Sequence, residues 1–97
     1  MEKLVYLNCL FDLYGVLLTD KQQVYFKEYY FNNLSYGEIS EKYDISRNAI
    51  FKQLKIIEEK LRFYEEKLKL YAKKQKINDI IELIDNKKIK DDLENLF

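Results

Sequence analysis

Apolar residues recur along most of this chain with the spacing of helices rather than strands. Between residues 2 and 18 they follow one another at intervals of three and four, which places them on one face of a helix. They are Leu4, Leu7, Phe11, Tyr14 and Leu18, broadened by Val5, Leu10 and Leu17. A face this wide predicts a well-buried first helix, and the small side chain of Cys9 is expected to be buried with it.

The next segment opens with a helix-capping box, in which a hydroxyl residue is followed three positions later by glutamine or glutamate. Thr19 and Gln22 form this pattern and predict a second helix that runs to about Phe31. The side chains expected to be buried on it include Val24 and Tyr25. The pair Asn32-Asn33 is expected to end the helix, because asparagine readily adopts turn conformations.

Residues 35 to 51 have the outline of a helix-turn-helix. A second capping box, Ser35 with Glu38, predicts a short helix to about Tyr43, and Ser46 is expected to cap the helix that follows. Two helices joined by such a short turn define the motif. Asp44 stands in the turn where glycine is common, and aspartate tolerates the left-handed backbone that this position requires.

The fourth helix is predicted to be long, because no glycine, proline or capping residue interrupts residues 47 to 76. Its apolar positions alternate at intervals of four and three, a heptad pattern held for three heptads. This heptad seam consists of Ile50, Leu54, Ile57, Leu61, Tyr64, Leu68 and Tyr71, with Ala49, Ile56, Phe63 and Leu70 beside it. The distal part needs a partner. Packing against the first helix and a homodimer through Leu61, Tyr64, Leu68 and Tyr71 are both open alternatives.

Residues 73–97 are predicted to form an amphipathic helical tail packed on the domain that residues 1–72 form. The lysines of residues 73–76 are interpreted as a solvated helix end, and Asp85-Asn86 is expected to break the tail. Its apolar positions are Ile77, Ile80, Ile81, Ile84, Ile89, Leu93, Leu96 and Phe97. With two glycines and no proline there are few places for strand turns, so an all-α protein is expected.

Composition excludes several classes of function. The absence of histidine excludes histidine-based catalysis and histidine metal ligands, and a single cysteine forms no internal disulfide. The carboxylates are scattered over amphipathic faces and no nucleophile has a base, so neither enzymatic activity nor a cofactor is expected. No apolar stretch reaches the length of a membrane span, and no signal-peptide cleavage site follows the first helix. A cytoplasmic protein without membrane insertion is expected.

Seventeen basic and 17 acidic residues cancel, so nucleic-acid binding would depend on a local patch. The helix after the turn offers one, since no acidic residue lies between Ser46 and Ile57. In a helix-turn-helix the start of this helix enters the major groove. With Ala49, Ile50 and Leu54 facing inward, the candidate interface is Ser46, Arg47, Asn48, Phe51, Lys52 and Lys55.

Each outward side chain has a role that its chemistry supports. The free N–H groups at the helix start are suited to a phosphate. Arg47 suits a phosphate or guanine, Asn48 suits adenine, and Phe51 suits a thymine methyl group. Lys52 and Lys55 would position the helix on the phosphate backbone.

Two features oppose strong DNA binding. Carboxylates on the supporting helix, the turn and the long helix would repel phosphate; they are Glu38, Glu41, Asp44, Glu58, Glu59, Glu65 and Glu66. Binding is therefore expected to be weak and salt-dependent. An exposed Phe51 also suits a protein contact, because aromatic residues are enriched in protein interfaces. The alternative is a protein–protein interaction adaptor that keeps the helix-turn-helix fold without binding DNA.

Four stretches resemble region 4 of bacterial sigma factors: Leu18-Thr19-Asp20-Lys21-Gln22, Tyr29-Tyr30, Ser35-x-x-Glu38-Ile39-Ser40 and Ile45-Ser46-Arg47-x-Ala49-Ile50. With the first helix and the extension Glu58, Leu61, Tyr64-Glu65-x-Lys67-Leu68-x-Leu70-Tyr71, residues 2–72 resemble the YlxM family of small bacterial helix-turn-helix proteins. The resemblance implies a cytoplasmic, non-enzymatic accessory or regulatory protein. It also implies a part in the signal recognition particle pathway, which for that family is inferred from gene neighbourhood.

Overall fold

A computed structural model describes residues 2–96 as six α-helices, with no strand among them. The all-α prediction is confirmed. The molecule measures 53 × 25 × 24 Å and its radius of gyration is 16.7 Å. A compact chain of this length would have a radius of gyration of about 12.5 Å. The protein is therefore elongated, and its C-terminal helices account for a large exposed surface.

The helices follow one another without long loops. They are α1 (Lys3–Tyr14), α2 (Asp20–Phe26), α3 (Tyr36–Tyr43), α4 (Arg47–Leu68), α5 (Leu70–Ile81) and α6 (Lys87–Glu94). A 3₁₀ turn (Gly15–Leu17) follows α1, and a π-helical turn (Lys27–Phe31) extends α2 to the predicted end. Both capping boxes form as predicted: Thr19 Oγ1 accepts from the N–H of Gln22 at 3.2 Å and Ser35 Oγ from that of Glu38 at 3.1 Å.

The core lies where α1, α2 and α3 meet α4. Its members are Leu7, Leu10, Phe11, Tyr14, Leu18, Tyr25, Phe26, Ile39, Ile50, Leu54, Ile57 and Leu61. Phe11 and Phe26 stack at its centre, with ring centroids 4.3 Å apart. Phe26, which the sequence pattern did not single out, is completely buried.

Several residues expected in the core lie at its edge. Leu4, Val5, Leu17 and Val24 are all more than a third exposed, and Cys9 is partly exposed. The 3₁₀ turn explains Leu17, because the three-and-four spacing no longer holds once α1 has ended at Tyr14. Val24 lies off the inward face of α2, which Gln22, Tyr25 and Phe26 occupy.

The prediction of one helix over residues 47 to 76 is wrong, because α4 ends at Leu68 and Lys69 adopts a left-handed backbone with φ 54°. The first N–H groups of α5 are capped by a carboxylate near the end of α4 and by a hydroxyl group of α1. The Glu65 carboxylate accepts from the N–H of Tyr71 at 2.9 Å and of Ala72 at 3.2 Å. Tyr14 Oη donates to the same carboxylate at 2.6 Å and accepts from the N–H of Leu70 at 2.9 Å.

The break at Lys69 folds the far part of the heptad seam back onto α1. Leu61 is completely buried, Tyr64 packs against Tyr14 with ring centroids 6.0 Å apart, and Tyr71 packs edge-on against Tyr6 at 5.3 Å. Leu68 instead remains 46% exposed. Packing within the chain therefore uses most of the seam, and the homodimer stays a prediction.

The last two helices extend from this junction. Helix α5 packs against α1, and α6 packs against α5. The predicted break is present, with Asn86 Oδ1 accepting from the N–H of Ile89 at 3.1 Å. Of the tail's expected apolar positions Ile81 is buried, whereas Ile80, Ile89 and Leu96 are at least half exposed; Phe97 lies outside the described residues. Across residues 2–96 no helix combines the length and apolar character that crossing a membrane requires.

Candidate nucleic-acid interface

Helices α3 and α4 are joined by three residues, Asp44 to Ser46, which form the turn of the helix-turn-helix. Asp44 has φ 55° and ψ 49°, the left-handed conformation expected for this position. The N–H of Ile45 donates to the carbonyl oxygen of Ser40 at 3.1 Å, and Ser40 Oγ donates to the carbonyl oxygen of Ile45. Ser46 Oγ then accepts from the N–H of Ala49 at 3.0 Å and starts α4.

The start of α4 presents its predicted residues to solvent. Ile50 and Leu54 point into the core, and Ala49 is partly buried. The six outward positions, all exposed, are Ser46, Arg47, Asn48, Phe51, Lys52 and Lys55. The structure thus brings the predicted set together on one surface, and its role in binding stays a prediction.

Arg47 does not simply extend from this surface. Its guanidinium group lies directly over Gly37 in the first turn of α3, so close that a Cβ atom at residue 37 would be 2.9 Å from Nη2. The absence of a side chain at Gly37 therefore permits this approach. The contact positions the arginine across the two helices of the motif, an arrangement that spacing alone did not predict.

A buried carboxylate ties α3 to the π-helical turn. Glu28, whose side chain is only 6% exposed, accepts from Lys42 Nζ at 2.6 Å, Tyr43 Oη at 2.7 Å and Asn32 Nδ2 at 2.7 Å. The hydrogen bonds from Lys42, Tyr43 and Asn32 lower the pKa of Glu28 to about 2, and the carboxylate in turn raises the pKa of Lys42. The sequence offered one clue, since Glu28 lies three residues after inward-facing Tyr25.

This ion pair changes the charge that the motif presents to a ligand. Lys42 is neutralised by Glu28, whereas the carboxylates of Glu38, Glu41 and Asp44 are exposed. The supporting helix and the turn are therefore acidic on the outside. The other exposed basic residues of the motif are Arg47, Lys52 and Lys55 in the first three turns of α4. No acidic residue lies between Ser46 and Ile57, and Glu58 and Glu59 follow Lys55 by three and four residues.

Beside the start of α4 lies an aromatic groove with a volume of 420 Å³, lined by Tyr29, Tyr30, Tyr36, Phe51, Lys55 and Arg62 among others. Tyr29 and Tyr36 stack with ring centroids 5.1 Å apart, and Phe51 meets Tyr36 edge-on at 5.9 Å. Burial, helped by the nearby Glu58 carboxylate, raises the pKa of Tyr30 to about 12. The groove and the candidate interface share Phe51 and Lys55, a connection that sequence spacing did not predict.

The groups assembled here are suited to binding. They offer positive charge, amide and hydroxyl hydrogen-bond donors, and exposed ring surface. In the part of the chain that the structure describes, no three cysteine, aspartate or glutamate side chains are grouped so as to hold a metal ion.

The sequence matches over residues 1–96 the family model described as "Putative helix-turn-helix protein, YlxM / p13 like". Proteins named "UPF0122 protein" from Bacillus thuringiensis (strain Al Hakam) and Bacillus cereus (strain Q1) are each 47% identical to it over 58 residues. A third, from Bacillus velezensis, has the same identity over the same length. The matched segment covers 60% of this chain and 53% of each relative, so the chain spans about half the length of these curated relatives.

Proposed function

Because the chain belongs to the YlxM / p13-like family of helix-turn-helix proteins, we propose that it is a cytoplasmic regulatory or accessory protein that binds DNA or RNA. One observation carries this proposal. The start of α4 presents Arg47, Lys52 and Lys55 on one exposed surface, whereas the inward residues Ile50 and Leu54 anchor the helix in the core. This is the geometry by which a recognition helix meets a nucleic-acid groove.

The geometry supports a division of roles. Ser46 and the first N–H groups of α4 would receive a phosphate, since the positive end of the helix dipole favours an anion there. Arg47, positioned over Gly37, would contact a phosphate or the edge of guanine. Asn48 and Phe51 would meet base edges, and Lys52 and Lys55 would contact the phosphate backbone.

The charge pattern sets the expected strength. Three basic side chains predict about three neutralised phosphates, so log K should fall against log salt with a slope of about −2.7 on duplex DNA. The exposed carboxylates of Glu38, Glu41 and Asp44 oppose binding further. Affinity at physiological salt is expected to be weak for one copy of the chain.

Fluorescence anisotropy with labelled duplex DNA and a structured RNA, at low and physiological salt, tests the proposal. The Arg47→Ala/Lys52→Ala double variant should lose most of the binding, because it removes two of the three basic contacts. Lys73→Ala/Lys76→Ala is the matched control, since it removes the same charge from α5 and should bind like the wild type. An equal loss of affinity in both variants would show that binding depends only on the net charge of the protein. Unchanged affinity in Arg47→Ala/Lys52→Ala would contradict the proposed interface on α4.

Two further parts of the proposal concern partners. By family resemblance, the RNA or protein of the signal recognition particle is the target, so the structured RNA in this assay should be the RNA of that particle.

We also propose that two copies associate through α4 at high concentration, with Leu68 exposed at the seam. Light scattering tests this association, and a monomeric mass across the concentration range would exclude it.

A protein-binding adaptor is the second candidate, and one observation favours it. Helix α6 has no buried residue, and Ile80, Leu83, Ile89 and Leu96 are each at least half exposed. Exposed apolar surface of this kind often marks protein interaction sites. Absence of nucleic-acid binding even at low salt would favour this candidate over the first.

A further inference from the structure

The aromatic groove beside α4 shares Phe51 and Lys55 with the candidate interface, but its tyrosines take no part in the proposed major-groove contacts. Its rings come from three elements: Tyr29 and Tyr30 from the π-helical turn, Tyr36 from α3, and Phe51 from α4. Two successive tyrosines of the π-helical turn line the groove, and such turns are frequently found at functional sites. Phe51 is 48% exposed, so part of its ring surface faces the open volume.

The aromatic groove has the ring arrangement of a stacking site. Tyr36 is supported by the parallel ring of Tyr29 at 5.1 Å and by the edge contact with Phe51 at 5.9 Å. Mutual support of this kind holds the rings in place before a ligand arrives, which reduces the entropy lost on binding. The volume of 420 Å³ lies in the range of about 300–1,000 Å³ that is typical of sites for small organic groups.

The charges at the groove favour an anionic ligand over a cationic one. Lys3, Lys55 and Arg62 line it together with the carboxylates of Glu58 and Glu59. Lys3 Nζ and Arg62 Nη2 both contact Glu58 Oε1, at 3.2 and 3.3 Å, so this carboxylate is already neutralised. The balance at the rim is one net positive charge, which suits the phosphate of a nucleotide.

We infer that the aromatic groove binds an unpaired nucleotide, whose base stacks on Phe51 while Lys55 contacts its phosphate. The inference rests on the proposed function and names its substrate class: single-stranded or loop nucleic acid. Bases in a duplex are stacked on each other and cannot enter the groove, whereas unpaired bases stack on aromatic side chains. Because the groove shares Phe51 and Lys55 with the candidate interface, one strand can leave the first site and enter the second.

The test compares two labelled RNAs with the same stem, one closed by a six-nucleotide loop and one a blunt duplex. The wild type should bind the hairpin more tightly, by roughly 5- to 150-fold if one base is stacked. The fluorescence of a 2-aminopurine placed in the loop should change when this base leaves the neighbouring RNA bases and stacks on Phe51. The measurement uses the full chain, with thermal melting to confirm that each variant folds.

Three substitutions make the test specific. Phe51→Leu keeps an apolar side chain but removes the ring, so hairpin binding should weaken more than duplex binding and the preference for the hairpin should be lost. Phe51→Trp keeps a ring and should retain the preference. Phe63→Leu is the matched control, because Phe63 lies on the same helix, is 53% exposed and does not line the groove.

The outcomes separate this inference from the proposed function. If the wild type binds hairpin and duplex equally, or if Phe51→Leu weakens both alike, the stacking site is excluded while nucleic-acid binding stands. If Phe63→Leu removes the preference as well, the effect is not specific to the groove and the inference is also overturned. If neither RNA binds at low salt but duplex DNA does, the inference is overturned and the proposed function stands. If duplex DNA does not bind either, the proposed function itself fails.

Discussion

Two of the helix breaks, at Asp44 and at Lys69, have almost the same backbone conformation and opposite origins. Asp44 has φ 55° and Lys69 has φ 54°, and neither is glycine. The first break separates α3 from α4, and its signals are local in sequence: aspartate at the left-handed position and Ser46 as the cap that starts the next helix. It was predicted correctly.

The second break has no local signal, since Lys69 supplies no capping side chain for α5. The first N–H groups of α5 are capped instead by the carboxylate of Glu65, on the preceding helix, and by the hydroxyl of Tyr14. The Tyr14 hydroxyl accepts from the N–H of Leu70, 56 residues away in sequence. Burial and the hydrogen bond to Glu65 raise the pKa of Tyr14 to about 12, so the hydroxyl keeps its proton. A continuous helix and a bent one satisfy the sequence pattern equally well, and packing on α1 selects the bent one.

Acid should produce the largest effect, at the end of α3 that precedes the first break. The pKa of Glu28 is lowered from 4.5 to about 2 in the folded protein, so its stabilising effect is complete above pH 4.5 and is lost as pH falls toward 2. Melting temperature measured from pH 6 to pH 2 should therefore fall more steeply for the wild type than for Glu28→Gln. If melting temperature falls equally with pH in the wild type and in Glu28→Gln, the carboxylate does not stabilise the contact between α3 and the π-helical turn.

At the second break, Glu65→Ala should cause the next largest loss of stability. This substitution removes the acceptor for two backbone N–H groups and the Tyr14 hydroxyl, and we expect a loss of about 2 kcal/mol in the free energy of unfolding. Glu66→Ala, at the neighbouring exposed carboxylate, is the control and should change stability by less than about 0.5 kcal/mol. Urea unfolding measures both. Hydrogen exchange should show loss of protection at Tyr71 and Ala72 only in the first variant.

The smallest effects are expected from glycine at the two left-handed positions. Lys69→Gly should stabilise the protein by up to about 1 kcal/mol, because lysine is strained in the left-handed conformation and glycine is not. Asp44→Gly should gain less, since aspartate tolerates this conformation better. Urea unfolding of both variants provides the measurement. A larger gain at Asp44 than at Lys69 would contradict the view that only the first break is encoded locally.

The candidate interface was predictable in part, for the same reason as the first break. The helical period placed Ile50 and Leu54 inward and Arg47, Lys52 and Lys55 outward, as the structure has them. The position of Arg47 over Gly37 and the aromatic groove were not predicted. Each joins residues of different helices, and spacing along one helix carries no information about its neighbours.

Local sequence is sufficient to specify the helical class, both capping boxes, the turn at Asp44 and the outward residues of α4. Each of these depends on interactions within a few residues: a cap, a left-handed turn position or the 3.6-residue period. Tertiary structure alone decided the end of α4 at Leu68, the burial of Phe26 and Glu28, and the aromatic groove. These depend on which surfaces meet, because a buried carboxylate or an uncapped N–H group is stable only where distant residues supply its hydrogen bonds.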